Sequence, residues 1–212
     1  MSIISEEQEM EWRAQRCGCL TASKAVDVCK RGSKGQKLQA YTNYQAQLVA
    51  ERLTGIVETI KPSAAMIWGT EHEDEAARAY EEQTGTMVSG DGKTFIKSTF
   101  NDFFGASPDR FVGEDGLLEI KCPNSLTHLE RLKSKQIPEE YLWQIRVQLL
   151  ITGRKWCDFV DYDPRFPKHL QLLIVRYEPT KEELEQTKAL CEEFLEETAN
   201  VLNDINSMKL GA

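Results

Sequence analysis

Asp109 stands ten residues before the triplet Glu119-Ile120-Lys121, within the stretch Ser107-Pro-Asp-Arg-Phe-Val-Gly-Glu-Asp-Gly-Leu-Leu-Glu-Ile-Lys-Cys-Pro123. In an extended segment, residues i and i+2 share a face, so Glu119 and Lys121 emerge side by side. Leu117, Leu118 and Ile120 give that segment the apolar content of a buried strand, and charges held beside a buried face are costly unless paired. A divalent cation resolves the cost if Asp109 returns on a neighbouring strand. Asp109 and Glu119 are hard oxygen ligands of the kind Mg²⁺ or Mn²⁺ prefers. Arg110-Phe111-Val112 followed by Gly113-Glu114-Asp115-Gly116 reads as strand and hairpin turn, which lets the two carboxylates converge. Lys121 would then stabilise an attacking hydroxide or the charge building on a phosphoryl group. Taken alone, Glu-x-Lys is equally well a strand with a polar wet face. The Pro108-Asp109 and Cys122-Pro123 flanks favour the chemical reading.

The surrounding periodicities predict the elements that must hold these groups. A helix is expected over about 5–16 with Trp12 on its apolar side. A second should start near Thr21, whose hydroxyl can cap it, and stop before a mobile basic loop, Lys30 to Gly35. A third runs from about Leu38 to Leu53 and ends at Gly55. Ala64 to Thr84 reads as a long helix closed by Gly85, with Met66, Ile67, Ala76, Ala77 and Tyr80 on one side. Strands are expected at about 93–97, 103–112 and 116–121. A helix follows from Pro138 to Gly153, then strands at 156–162 and 170–177. An acidic amphipathic helix runs from Thr180 to about Met208. This order makes an α/β or α+β sandwich with a central mixed sheet flanked by helices, in a single domain spanning 1–212.

The 212 residues carry a net charge of −8. That balance argues against indiscriminate binding to nucleic acid, which leaves a basic footprint, and confines positive potential to a local groove. Lys24, Lys30, Arg31, Lys34 and Lys37 cluster early, while residues 178–197 are strongly acidic. No apolar run approaches the roughly 18 residues of a membrane span, and the first residues carry no signal core, so a cytoplasmic protein without membrane contact is expected. The six cysteines and three histidines are scattered without zinc spacing, which predicts free, mostly buried thiols.

Three further segments carry a resemblance. Trp12-Arg-Ala-Gln-Arg16-Cys-Gly-Cys-Leu-Thr-Ala-Ser23, Trp68-Gly-Thr-Glu-His-Glu73-Asp-Glu-Ala76 and Tyr141-Leu-Trp-Gln144-Ile-Arg-Val-Gln148 resemble motifs of the lambda exonuclease and YqaJ-type viral recombinase nucleases. These belong to the Pro-Asp-(Asp/Glu)-x-Lys superfamily, whose pattern the Asp109–Lys121 segment also matches. The resemblance implies a restriction-endonuclease-like core. It implies that Arg16 and Ser23 bind the 5′-phosphate of the strand being cut, a role suited to a guanidinium fork and a hydroxyl near a helix start. It implies that Glu73 completes the shell of one ion, that the Ile120 carbonyl points into the site beside Asp109 and Glu119, and that Gln144 orients the water or the phosphate. Trp143 and Arg146 depart from the lambda enzyme at the edge of the substrate channel.

The activity so implied is a Mg²⁺-dependent 5′→3′ exonuclease, with Mn²⁺ an alternative metal and two ions in each site. It would digest one strand of double-stranded DNA from a 5′-phosphorylated end and leave a 3′ single strand. The implied partners are DNA ends, two further copies of the chain in a homotrimer ring, and a phage-type single-strand-annealing protein. A structure-specific or nicking endonuclease on the same core is the enzymatic alternative, and a DNA-end binding module the non-catalytic one.

Overall fold

The computed structural model describes residues 6–57 and 61–208. Residue 5, the expected start of the first helix, lies outside them. The larger of two sheets has the order β2-β5-β6-β7-β8, formed by Val88–Ser89, Arg110–Val112, Gly116–Lys121, Trp156–Tyr162 and Leu172–Tyr177. Only β6 and β7 run parallel; the other pairings are antiparallel, so the sheet is mixed as expected. A parallel pair needs a crossover. Here it consists of α5 (Ser125–Ser134) and α6 (Glu139–Thr152). The smaller sheet places β4 (Phe104–Ala106) between β1 (Leu20–Thr21) and β3 (Ile96–Lys97).

Alternation along β6 decides which layer sees which side chain. Leu118 and Ile120 join Val112, Val160 and Tyr162 under α4 (Ala64–Thr84), which contributes Ala76, Ala77 and Tyr80. Leu117 turns the other way and packs with Cys157 and Phe159 against Ile145 and Leu149 of α6. Glu119 and Lys121 have the parity of Leu117 and therefore lie on the α6 side. A third cluster joins α2 (Ala25–Cys29) and α3 (Gln39–Thr54) to β4 and to α7 (Lys181–Ser207) through Val28, Tyr44, Leu48, Phe104 and Phe194.

Several expectations are corrected. The strand expected over 103–112 is two strands in two different sheets, divided at Ser107-Pro108-Asp109. Proline lacks the N–H a ladder needs, and the chain crosses between sheets there. Thr21 does not cap a helix: it belongs to β1, its hydroxyl lies 3.3 Å from that of Ser23, and α2 begins only at Ala25 after one tight turn. The loop after α2 is not free. Gly32 N–H donates to the Gln36 carbonyl, and Lys30, Arg31 and Lys37 pair with Glu139, Glu193 and Glu197. Helix α5 was not expected, because its buried face is His128 and Arg131 while Leu126 and Leu129 are exposed. Met66 and Ile67, expected on one side of α4 with Ala76, Ala77 and Tyr80, are exposed while those three are buried. Elsewhere the punctuation holds: Gly55, Gly85 and Gly153 end α3, α4 and α6 in the left-handed conformation, and Thr180 with Glu183 forms a capping box at α7.

Candidate active site

Antiparallel pairing of β5 with β6 sets Arg110 opposite Leu118, and one further step of that register sets Asp109 opposite Glu119. Because β5 has ended there, the Asp109 side chain takes the Ile120 N–H instead, at 2.6 Å. Glu119 is fully buried. Lys121 Nζ and Gln144 Nε2, the latter at 2.7 Å, donate to its Oε1, and Gln148 Nε2 donates to Oε2 at 2.7 Å. The two amides sit one helical turn apart on α6, so a single helix face grips both carboxylate oxygens.

Glu73 projects from α4 and accepts from Arg110 Nη1 at 3.0 Å. It stands close enough to feel the charges of Glu119 and Lys121. Burial, followed by the neighbouring Glu119, pushes the Asp109 carboxyl well above the usual carboxylate range. Burial also raises Glu73, with Arg110 opposing it. For Lys121 burial acts to lower the ammonium, but Glu119 and Asp109 outweigh it and hold it above its ordinary value. The site is therefore a knot of like charge incompletely balanced by protein donors.

Among the described residues no three His, Cys, Asp or Glu side chains are arranged as a ready-made cage for a metal ion. The donor set nevertheless suits one: three acidic side chains raise one another's cost, all offer hard oxygens, and a divalent cation would relieve their repulsion. In the present arrangement each is held by a protein donor. Gln144 contacts Glu119 rather than standing free to orient a water. The Ile120 peptide is engaged through its N–H.

Arg16 and Ser23 lie some ninety residues earlier in the chain but line one cavity of about 250 Å³ with Trp12, Thr21 and Tyr44. The Arg16 guanidinium stacks 4.0 Å from the centre of the Trp12 ring, and burial lowers its pKa. Ser23 is exposed at the cavity's edge. Trp12 and Arg13 also line a larger groove of about 940 Å³ that leads past Met66 and Ile67 to Glu73 and Asp109. Trp12 Nε1 donates to Ser107 Oγ at 3.2 Å, two residues before Asp109. The cavity and the groove thus share Trp12 and Arg13 as walls, and of the expected metal-side residues the groove reaches Glu73 and Asp109.

Three contributors escaped the sequence reading. Gln148 stood in the quoted helix motif without a role, although its spacing of four from Gln144 was the available signal. Arg110 lies in an Arg-Phe-Val run whose pattern predicts only a strand. Tyr141, whose ring lies 5.0 Å from Lys121 Nζ, carried no signal beyond its place in the motif. Trp143 packs on the helical core, and Arg146 donates to Tyr177 and Glu183, so the latter ties α6 to β8 and α7.

Residues 11–155 match the model of the YqaJ-like viral recombinase domain. The chain belongs to that family. An alkaline exonuclease, LHK-Exo, from Laribacter hongkongensis is 38% identical, with a TM-score of 0.84 over 93% of this chain and 96% of its own. The same enzyme solved in complex with dAMP matches at 38% identity and 0.84 over 92% and 95%. A phage-related exonuclease from Haemophilus somnus 129PT shares the fold, with a TM-score of 0.65 at 13% identity over 88% and 96%. No curated protein matches significantly. With exonuclease relatives spanning nearly its whole length, the YqaJ-like chain is an enzyme of the nuclease type. No helix among the described residues is long and apolar enough to cross a membrane.

Proposed function

We propose that this YqaJ-like chain is a Mg²⁺-dependent 5′→3′ exonuclease that removes nucleotides from the 5′-phosphorylated strand of a DNA duplex and leaves a 3′ single strand. The observation that carries the reading is the wall shared by the two hollows. Trp12 lines both the Arg16–Ser23 cavity and the groove to Glu73 and Asp109, and bonds the segment that delivers Asp109. A terminal phosphate held at Arg16 and Ser23 would set the distance to the bond that is cut. The likeness to a nuclease solved with dAMP, a nucleoside monophosphate, supports a site of nucleotide size.

Asp109, Glu119, the Ile120 carbonyl and Glu73 are the groups that would hold Mg²⁺, or Mn²⁺, as a pair of ions. Bound there, the metal would make water nucleophilic near neutral pH and neutralise charge on the phosphoryl oxygens. Lys121, kept as an ammonium by the adjacent acids, donates to the charge that develops during the reaction. Gln144 and Gln148 fix the Glu119 carboxylate by both oxygens, so it presents one orientation. A homotrimer ring and a single-strand-annealing partner belong to the same proposal and rest on family membership.

Covalently closed duplex circles and linear 5′-phosphorylated duplex, incubated side by side with Mg²⁺, test the end requirement. Only the linear DNA should be consumed. Rapid cutting of the circle would favour an endonuclease, and release of nothing from either would favour a binding module.

A further inference from the structure

We infer that Arg110 is a positioning residue for the cation site, holding Glu73 by one oxygen so that the other remains for the ion. Its side chain is 6% exposed, and an arginine is buried at such cost only where its fork of donors is matched. Two of the three acceptors it meets belong to the site residues Glu73 and Asp109, and the third is Asp74, the next residue of α4. Nη1 donates to Glu73 Oε1 at 3.0 Å and to the Asp109 carbonyl at 2.6 Å, and Nη2 donates to Asp74 Oδ1 at 2.6 Å. One guanidinium thus ties two successive residues of α4 to the peptide of Asp109. Among the described residues no donor meets Glu73 Oε2. Gly92 closes the same corner. Its φ of 75° favours glycine, and a Cβ there would meet Glu73 Oε1 at 3.4 Å, an ordinary contact.

Charge and geometry make opposite predictions for Arg110. A guanidinium repels a nearby cation, so if charge were its whole effect, removing it would tighten metal binding. If it positions Glu73, removing it lets the carboxylate swing away and weakens binding, as loss of outer-shell partners does by about 10- to 100-fold.

The inference rests on Glu73, Asp109 and Glu119 being cation ligands, and the experiment separates the two ideas. Calorimetric titration of Ca²⁺ is made into the wild-type chain, Asp109→Ala, Arg110→Met and Arg110→Lys, with folding checked by circular dichroism. Wild type should bind and Asp109→Ala should not. Arg110→Met should bind at least about tenfold more weakly, and Arg110→Lys should fall between it and wild type. In turnover with Mg²⁺, kcat should drop while KM for DNA stays near wild type. Absence of Ca²⁺ binding by wild type would overturn the ligand assignment itself. Wild-type or tighter binding by folded Arg110→Met would overturn only the role of Arg110. If Arg110→Met does not fold, Arg110→Lys decides, and wild-type affinity in that variant overturns the inference.

Discussion

The acids of β7 and those gathered around β6 share one sheet but differ in how fully protein cations balance them. Asp158 accepts two bonds from Arg176, at 2.8 and 2.9 Å, and one from Tyr80 at 2.7 Å. Asp161 is held between Arg131 and His128, and Asp163, just past the strand, between Arg165 and Ser125. Burial works to raise Asp163, but its arginine partner overrides that and holds it at about 2. On the other side Asp109 has a peptide N–H, Glu119 a lysine and two amides, and Glu73 a share in one arginine. Asp109 and Glu73 are accordingly pushed upward. Where the fold needs only to be held, each acid has its own cation; where negative charge is left in excess, chemistry has a place to bind a metal.

The sharpest way to break this contrast is to remove one member of each set. Lys121→Ala and Asp109→Ala should each lower cleavage by about a thousandfold or more, in line with loss of a transition-state charge stabiliser, while the melting curve keeps its cooperativity. Nucleotide release from linear duplex measures this. Asp161→Asn should do the reverse: it strands Arg131 and His128 in the interior and should cost about 3–5 kcal/mol of stability by denaturant titration. If Asp161→Asn proved neutral, the division into two kinds of acid would fail.

Smaller effects sharpen it. Arg16→Ala should cut the rate advantage of a 5′-phosphate over a 5′-hydroxyl end by about tenfold, the worth of a charge-assisted hydrogen bond, with a much smaller effect on the hydroxyl end. Asp109→Asn should stabilise. Its carboxyl is raised in the fold, so its ionised form is the one the fold opposes: the penalty grows as pH rises from the ordinary carboxylate range through the raised value and is complete above it. At alkaline pH and without metal, removing that charge should raise Tm by about 2–4 °C. Glu193→Ala, which strips exposed partners from Arg31 and Lys37, should change stability by less than about 1 kcal/mol.

Much of this was legible in the residues. Strand parity places Glu119 and Lys121 on one face from the sequence alone, and glycines at 55, 85 and 153 mark helix ends because glycine enters the left-handed conformation without a Cβ penalty. What escaped depended on partners distant in sequence. The face of α5 is buried because His128 and Arg131 meet Asp161, and nothing in the periodicity of Ser125–Ser134 announces a polar buried face. The passage of residues 107–109 between sheets is visible in Pro108 only once β4 is known to pair with β1. The basic loop looked free because its partners, Glu193 and Glu197, lie some 160 residues on. Arg110 was hidden by its neighbours: inside a strand-like Arg-Phe-Val run, only α4 packing shows that it reaches Glu73.

Strand polarity is the most direct test of the whole account. A linear duplex is prepared with a phosphate on one 5′ end and hydroxyls on all others, and both strands are followed on a sequencing gel after addition of the chain and Mg²⁺. The phosphorylated strand should shorten from its 5′ end, releasing mononucleotides while its complement persists. Shortening from 3′ ends, or equal loss of both strands, would contradict it.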